Sequence, residues 1–159
     1  MNWFDVVAIL LVLLVAWIES LRGFGRAIFD FVGALIALRI AIFAGKPLAT
    51  AVPLLQPEAH SEALWMGATF VLLTVLIIIA TKYIYETTLL SLDVLDPIVG
   101  GLFGLGSGII VAHLFMRSLL TAYAGTDFAT VVLNSFMGQE LITFRTYHIV
   151  VQALQNLGN

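Results

Sequence analysis

Apolar residues run along this chain in four long stretches separated by short polar breaks. Residues 63–81 and 98–116 each lack a formally charged side chain, and about twenty such residues cross roughly 30 Å of hydrocarbon at about 1.5 Å per residue in a helix. Both predict membrane-spanning helices. The stretch 6–18 is shorter, and 27–45 carries Asp30 and Arg39. Crossing there requires Asp5, Glu19, Asp30 and Arg39 to sit at an interface or face protein. The first two stretches are therefore either two short crossings or a re-entrant hairpin. Trp3, Phe4 and Trp17 bracket the first as interfacial aromatics do, which favours a short crossing with local thinning of the bilayer. Either form returns the chain to its starting side. Met1, the 46–62 connection and the tail after Arg117 then share one side, and the 82–96 connection lies opposite.

Small residues recur inside the stretches with a period of four. Gly100, Gly104 and Gly108 form one ladder, and Gly33, Ala37, Ala41 and Gly45 form a second. Four-residue spacing puts each set on one helix face, where another backbone can come close without a hydrophobic drive between helices. Two complementary smooth faces invite these helices to pack on each other. The contact lies either within one chain or, as a glycine zipper, between copies in a homo-oligomer.

The connections add their own signals. Pro47, Pro53 and Pro57 break the segment after Gly45, and Pro57-Glu58 suits the start of the third helix. Asp96-Pro97 fits the N-cap and first position of the fourth, and Asp5 suits the same capping role at the first. After Gly125 the character changes. Over 139–157, Phe144, Tyr147, Val150, Val151, Leu154 and Leu157 share one helical face, while Arg145, His148, Gln152, Gln155 and Asn156 share the other. That is an amphipathic helix on an interface or a partner, too polar for a fifth span. The expected organisation is a four-helix membrane domain over 1–124 and an amphipathic tail over 125–159.

Composition agrees with membrane residence: 61% of residues are hydrophobic and 11% charged, where soluble domains carry about 25% charged residues. A net charge of −3 and scattered Lys and Arg exclude a polyanion partner such as nucleic acid. The absence of Cys removes disulfides, thiolate metal sites and cysteine nucleophiles. The opening residues lack a basic n-region, and no A-x-A-like site follows, so the first span is expected to be retained. Arg22, Arg26 and Lys82 on one side nearly balance Arg39, Lys46, Arg117 and Arg145 on the other. Arg22 and Arg26 in the tightest loop tip the expected orientation to N-terminus out.

Chemistry concentrates at Glu19, Arg22, Arg26 and Asp30. Spacings of three and four put neighbouring pairs on adjacent helical turns, and Gly23 and Gly25 can turn the chain with the same charges clustered. Such a corner either neutralises itself or presents Arg22 and Arg26 to an anionic headgroup or a polar path. His113 and Arg117 lie one turn apart, as a proton relay or an interfacial pair with a snorkelling arginine. His60, His113 and His148 fall on different elements, and no metal site or cofactor is expected. No nucleophile elbow, phosphate loop, zincin motif or dinucleotide fingerprint is present, so no catalytic residues are assigned.

Three features in register carry a resemblance: Trp3-Phe4-Asp5 before an apolar run; Arg22-Gly23-Phe24 followed by Arg26; and Asp96, Gly100, Phe103-Gly104 and Gly108 opening the last span. The chain resembles the bacterial colicin V production protein family over essentially its whole length. The resemblance implies an integral inner-membrane protein tied to toxin production and envelope processes, without supplying a reaction. It also implies Arg before Gly108 and often a basic residue after Asp96, where this chain has Ser107 and Pro97. An anion-binding role of those arginines is then weaker here or has passed to Arg22 and Arg26. The expectation is an all-α membrane protein, non-enzymatic, supporting colicin V production or export or envelope homeostasis by associating with itself or other membrane proteins in the bilayer. The alternative is a small oligomeric channel or transporter with a polar path lined by Arg22, Arg26, Asp30 or His113.

Overall fold

In the computed structural model, which describes residues 2–88 and 95–143, the chain runs as α1 (Trp3–Arg22), α2 (Phe24–Ala51), α3 (Glu58–Thr88), α4 (Asp96–Ala122), α5 (Asp127–Leu133) and α6 (Phe136–Thr143). The first four are long and apolar enough to cross a membrane. The first pair is longer than the hydropathy pattern suggested: α1 has 20 residues and α2 has 28. Neither is short, because Asp5, Glu19 and Asp30 are buried against protein and so do not end the apolar segments. Pro47 does not end α2 either. It lies inside the helix, which closes at Val52, whose N–H reaches the Leu48 carbonyl at 2.8 Å. A proline this close to a helix end removes one hydrogen bond and leaves the turns beyond it intact.

A single residue, Gly23, separates α1 from α2. Its φ of 83° lies where a side chain is strained, so the reversal uses the one residue type that takes it freely. Asp96 takes a different role from the one expected. The N-cap of α4 is Leu95, with no side-chain cap. The Asp96 carboxylate instead accepts the first N–H of α2, from Phe24, at 3.1 Å, and so satisfies an orphan donor across the bundle. At the other end Asn2, not Asp5, caps α1, and Asp5 completes the capping box from the third helical position.

The two small-residue ladders face different helices. A Cβ on Gly104 would meet the Ala16 Cα at 2.7 Å, one on Gly108 the Val12 Cα at 2.7 Å, and one on Gly100 the Glu19 carbonyl oxygen at 2.9 Å, so α4 lies backbone to backbone on α1. Gly33 and Gly45 face Ile77 and Met66 of α3. Between them, Ala37 and Ala41 join a core with Met66, Phe70, Ile110 and Leu114. The ladders therefore do not pack on each other, and α4 is the central helix, touching α1 with its glycines and α2 and α3 with its larger residues.

A second core joins Phe4, Ala8, Ala112 and Met116 to Val132 and Leu141 of α5 and α6. Phe4 is fully buried and stacks on Phe115 at 6.1 Å, so it belongs to this core and not to an interfacial belt. The described part of the tail thus lies against the bundle end. Most of the amphipathic helix expected over 139–157 lies outside the described residues. Facing outward are side chains such as Leu10, Phe43, Leu72 and Leu102, with Phe43 82% exposed, an apolar exterior that suits lipid and not water.

Candidate functional site

The charges around Gly23 are brought together inside the bundle. One Arg22 nitrogen donates to Glu19 Oε1 at 3.1 Å and to Asp30 Oδ2 at 3.0 Å. Glu19 and Asp30 are only 5% and 8% exposed. Removing two carboxylates and a guanidinium from water costs several kcal/mol per ion, which pairing offsets only when the remaining lone pairs are also satisfied. Here they are not: Glu19 Oε2 and Asp30 Oδ1 are buried with no hydrogen-bond partner.

These oxygens border a cavity of about 200 Å³. Thr74 from α3 and Ser107 from α4 also line it, and their hydroxyl oxygens are likewise buried and unpartnered. Ser107 is 5% exposed. Four residues that carry such oxygens, one from each long helix, thus line one space together with apolar side chains such as Val15, Ala34, Phe70 and Val111. Each buried polar atom without a partner costs about 1–3 kcal/mol, so the cavity calls for a hydrogen-bond donor. The formal charges of Glu19, Asp30 and Arg22 leave it one negative charge in excess.

An adjoining cleft of about 330 Å³ shares Arg22, Asp30 and Ile78 with the cavity and adds Arg26, Thr81 and Lys82. Lys82 is exposed and lies eight residues, about 12 Å along α3, beyond Thr74. The cleft therefore lies toward the end of the bundle that holds Gly23, Asp96 and Lys82, and Arg22 and Asp30 line both it and the cavity. Ahead of it, Ala37, Ala41, Met66 and Leu114 close the bundle with an apolar core.

Among the expected polar residues, Glu19, Arg22 and Asp30 meet in the cavity, and Arg26 stands in the cleft. His113 does not join them. Its Nδ1 lies 3.1 Å from the Leu141 carbonyl oxygen, on another face, where it ties α4 to α6. Arg39 is exposed on α2 and shares an outer groove with Lys46 and Glu62. Phe103 contacts Phe24 and Phe31, both at 5.8 Å, and so packs the corner. Thr74, Ser107 and Lys82 are site residues that charge spacing alone does not reveal. The available signal is a hydroxyl side chain in the middle of each uncharged span. Among the described residues, no group of three His, Asp or Glu side chains is arranged to hold a metal ion.

Four membrane-length helices that share a polar cavity define an all-α multi-pass membrane protein. The model of the colicin V production protein family matches residues 4–145, nearly the whole chain. The chain belongs to that family, which links it to colicin V production. No curated protein and no solved structure matches it.

Proposed function

We propose that the protein is a non-enzymatic component of the bacterial inner membrane, supporting toxin production or envelope homeostasis as a binding path for a small polar solute. The observation that carries this reading is the convergence of four unpartnered buried oxygens, from Glu19, Asp30, Thr74 and Ser107, on one cavity among membrane-spanning helices. Ionisable groups at such depth are costly, and they typically mark substrate or ion pathways. Because the apolar core beyond the cavity is closed, one chain offers half a path. The other half requires the helices around Ala37 and Leu114 to move, or a second copy to contribute a surface. The test is solute flux from liposomes containing the purified protein across a panel of cations, anions and zwitterions. Flux of one class, lost in Arg22→Ala, is the expected result. Absence of flux for every class overturns the path.

A second reading, association with other membrane proteins or with further copies, is favoured by Arg39. A guanidinium on the outward face of α2, in a groove with Lys46 and Glu62, is costly against lipid unless it snorkels or a partner covers it. Crosslinking in native membranes tests this, since a covered Arg39 face gives a crosslinked species that Arg39→Leu changes.

A further inference from the structure

The free atoms at the cavity between the four long helices specify what it can hold. Glu19 Oε2 and Asp30 Oδ1 accept hydrogen bonds and donate none, and the Thr74 and Ser107 hydroxyl oxygens can accept as well. The hydroxyls make this more than an acidic pair. Ser107 comes from α4, carries no charge and is more than nine-tenths buried, yet its oxygen has no partner within the protein.

One positive charge balances the excess that two carboxylates and Arg22 leave. A divalent metal ion overshoots it and takes about six to eight oxygens, whereas each carboxylate already gives one oxygen to Arg22. A proton balances the charge but bridges at most two oxygens and leaves the others unpaired. An anion meets Glu19 and Asp30. A primary ammonium brings one charge and three N–H donors together. The rest of the lining is mostly apolar, with Val15, Ala34, Phe70 and Val111 among it, which suits a guest with an apolar body better than a bare monovalent metal ion. Roughly 150 Å³ of cavity takes a six-membered ring, so the space of about 200 Å³ here has room for an ammonium group on a short alkyl chain. Arg22 lines the cavity and its side chain is 30% exposed, so one wall reaches the surface.

We propose that this cavity binds a small primary alkylammonium ion, its N–H donors shared among the free oxygens of Glu19, Asp30, Thr74 and Ser107 and its alkyl part against Phe70 and Val111. The proposal rests on the solute-path reading and names its solute class.

The test uses the full chain in detergent and phosphate buffer near pH 7, where an amine with a pKa close to the lysine value of about 10.4 is protonated. The melting temperature is followed by tryptophan fluorescence as propylammonium chloride is added. Tetramethylammonium supplies the charge without N–H donors, sodium the charge without a body, and 1-propanol the body without a charge. The expected result is a saturable rise with propylammonium, half-saturating at least about tenfold below each of the three, the order of effect of one charge-assisted hydrogen bond. Ser107→Ala and Thr74→Val each remove an oxygen that has no partner in the free protein. Without ligand they should therefore melt at the same temperature or higher, while propylammonium binds several-fold more weakly. These two variants decide the matter even if Glu19→Gln or Asp30→Asn fails to fold. An equal response to sodium or tetramethylammonium would show a site for charge alone, and an equal response to 1-propanol an apolar void; either overturns the proposal. So does the absence of any response, or an unchanged affinity in both hydroxyl variants. Flux of some other solute without propylammonium binding removes this inference and leaves the path; propylammonium binding without flux of any solute removes the path and leaves the site.

Discussion

Gly104→Ala adds one methyl group where α1 and α4 are closest. The new Cβ would lie 2.7 Å from the Ala16 Cα and 2.8 Å from the Glu19 Cβ, whereas ordinary contact begins at 3.4 Å. The deficit against Ala16 is 3.4 − 2.7 Å, or about 0.7 Å, and backbone cannot swing aside as a long side chain can. The helices must separate, and overpacking of this kind costs about 1–3 kcal/mol. Gly67→Ala is the matched control: nothing lies within 4 Å of its added Cβ, and replacing glycine inside a helix by alanine is favourable by about 0.5–1 kcal/mol. The assay is reversible SDS titration in mixed micelles, with tryptophan fluorescence reporting the folded fraction. Gly104→Ala should shift the midpoint to lower SDS and Gly67→Ala should leave it unchanged or raise it. Equal midpoints for the two variants would show that the α1–α4 approach is not a close backbone contact, and the assignment of α4 as the central helix would fail with it.

Three further outcomes follow from other contacts. Gly23→Ala places a side chain at φ 83° and a Cβ 2.6 Å from Asp96 Oδ2; a destabilisation of about 1–3 kcal/mol is expected, measured by the same titration, and a neutral result would mean that the corner turns in another way. Asp5 accepts the Asn2 N–H at 2.7 Å and the Met137 N–H at 2.8 Å, so Asp5→Ala should release the tail, read as faster proteolysis between α5 and α6; an unchanged digest would refute a docked tail. The chain has no cysteine, so Ser107→Cys is a single reporter of solvent in the cavity. A small charged, membrane-impermeant thiol reagent should label it only from the Lys82 side, the cytoplasmic one under the N-terminus-out expectation, in inverted vesicles. Labelling from both sides, or from neither, would contradict access from that end.

The crossings were legible in the sequence because lipid imposes one requirement, length without uncompensated charge, and the stretches around 63–81 and 98–116 meet it openly. Asp30 obscured the length of α2 because the residue that makes it tolerable, Arg22, belongs to the preceding helix. The ladders showed that smooth faces exist but not what lies against them: four-residue periodicity defines a face and carries no partner. Glu19, Arg22 and Asp30 were visible as a charge cluster. Thr74 and Ser107 were not, since a hydroxyl in an apolar helix usually bonds its own backbone, and only the packing of α3 and α4 leaves these two unpartnered at a common cavity. Asp96 reads as a local cap by every sequence rule. The geometry of Gly23 is what brings another helix's first N–H within its reach.

The seating of α1 against α4 has a consequence for biosynthesis. From Arg22 to Asp96 the ribosome adds 74 residues, which takes roughly 4–15 s at about 5–20 residues per second. Throughout that interval α1 is in the membrane with its Ala16 and Val12 backbone uncovered and Glu19 without the helix that closes over it. A chain interrupted before α4 keeps that face exposed indefinitely. Any quality-control system that senses polar atoms in lipid could therefore tell a finished molecule from an unfinished one by whether the last long helix has arrived.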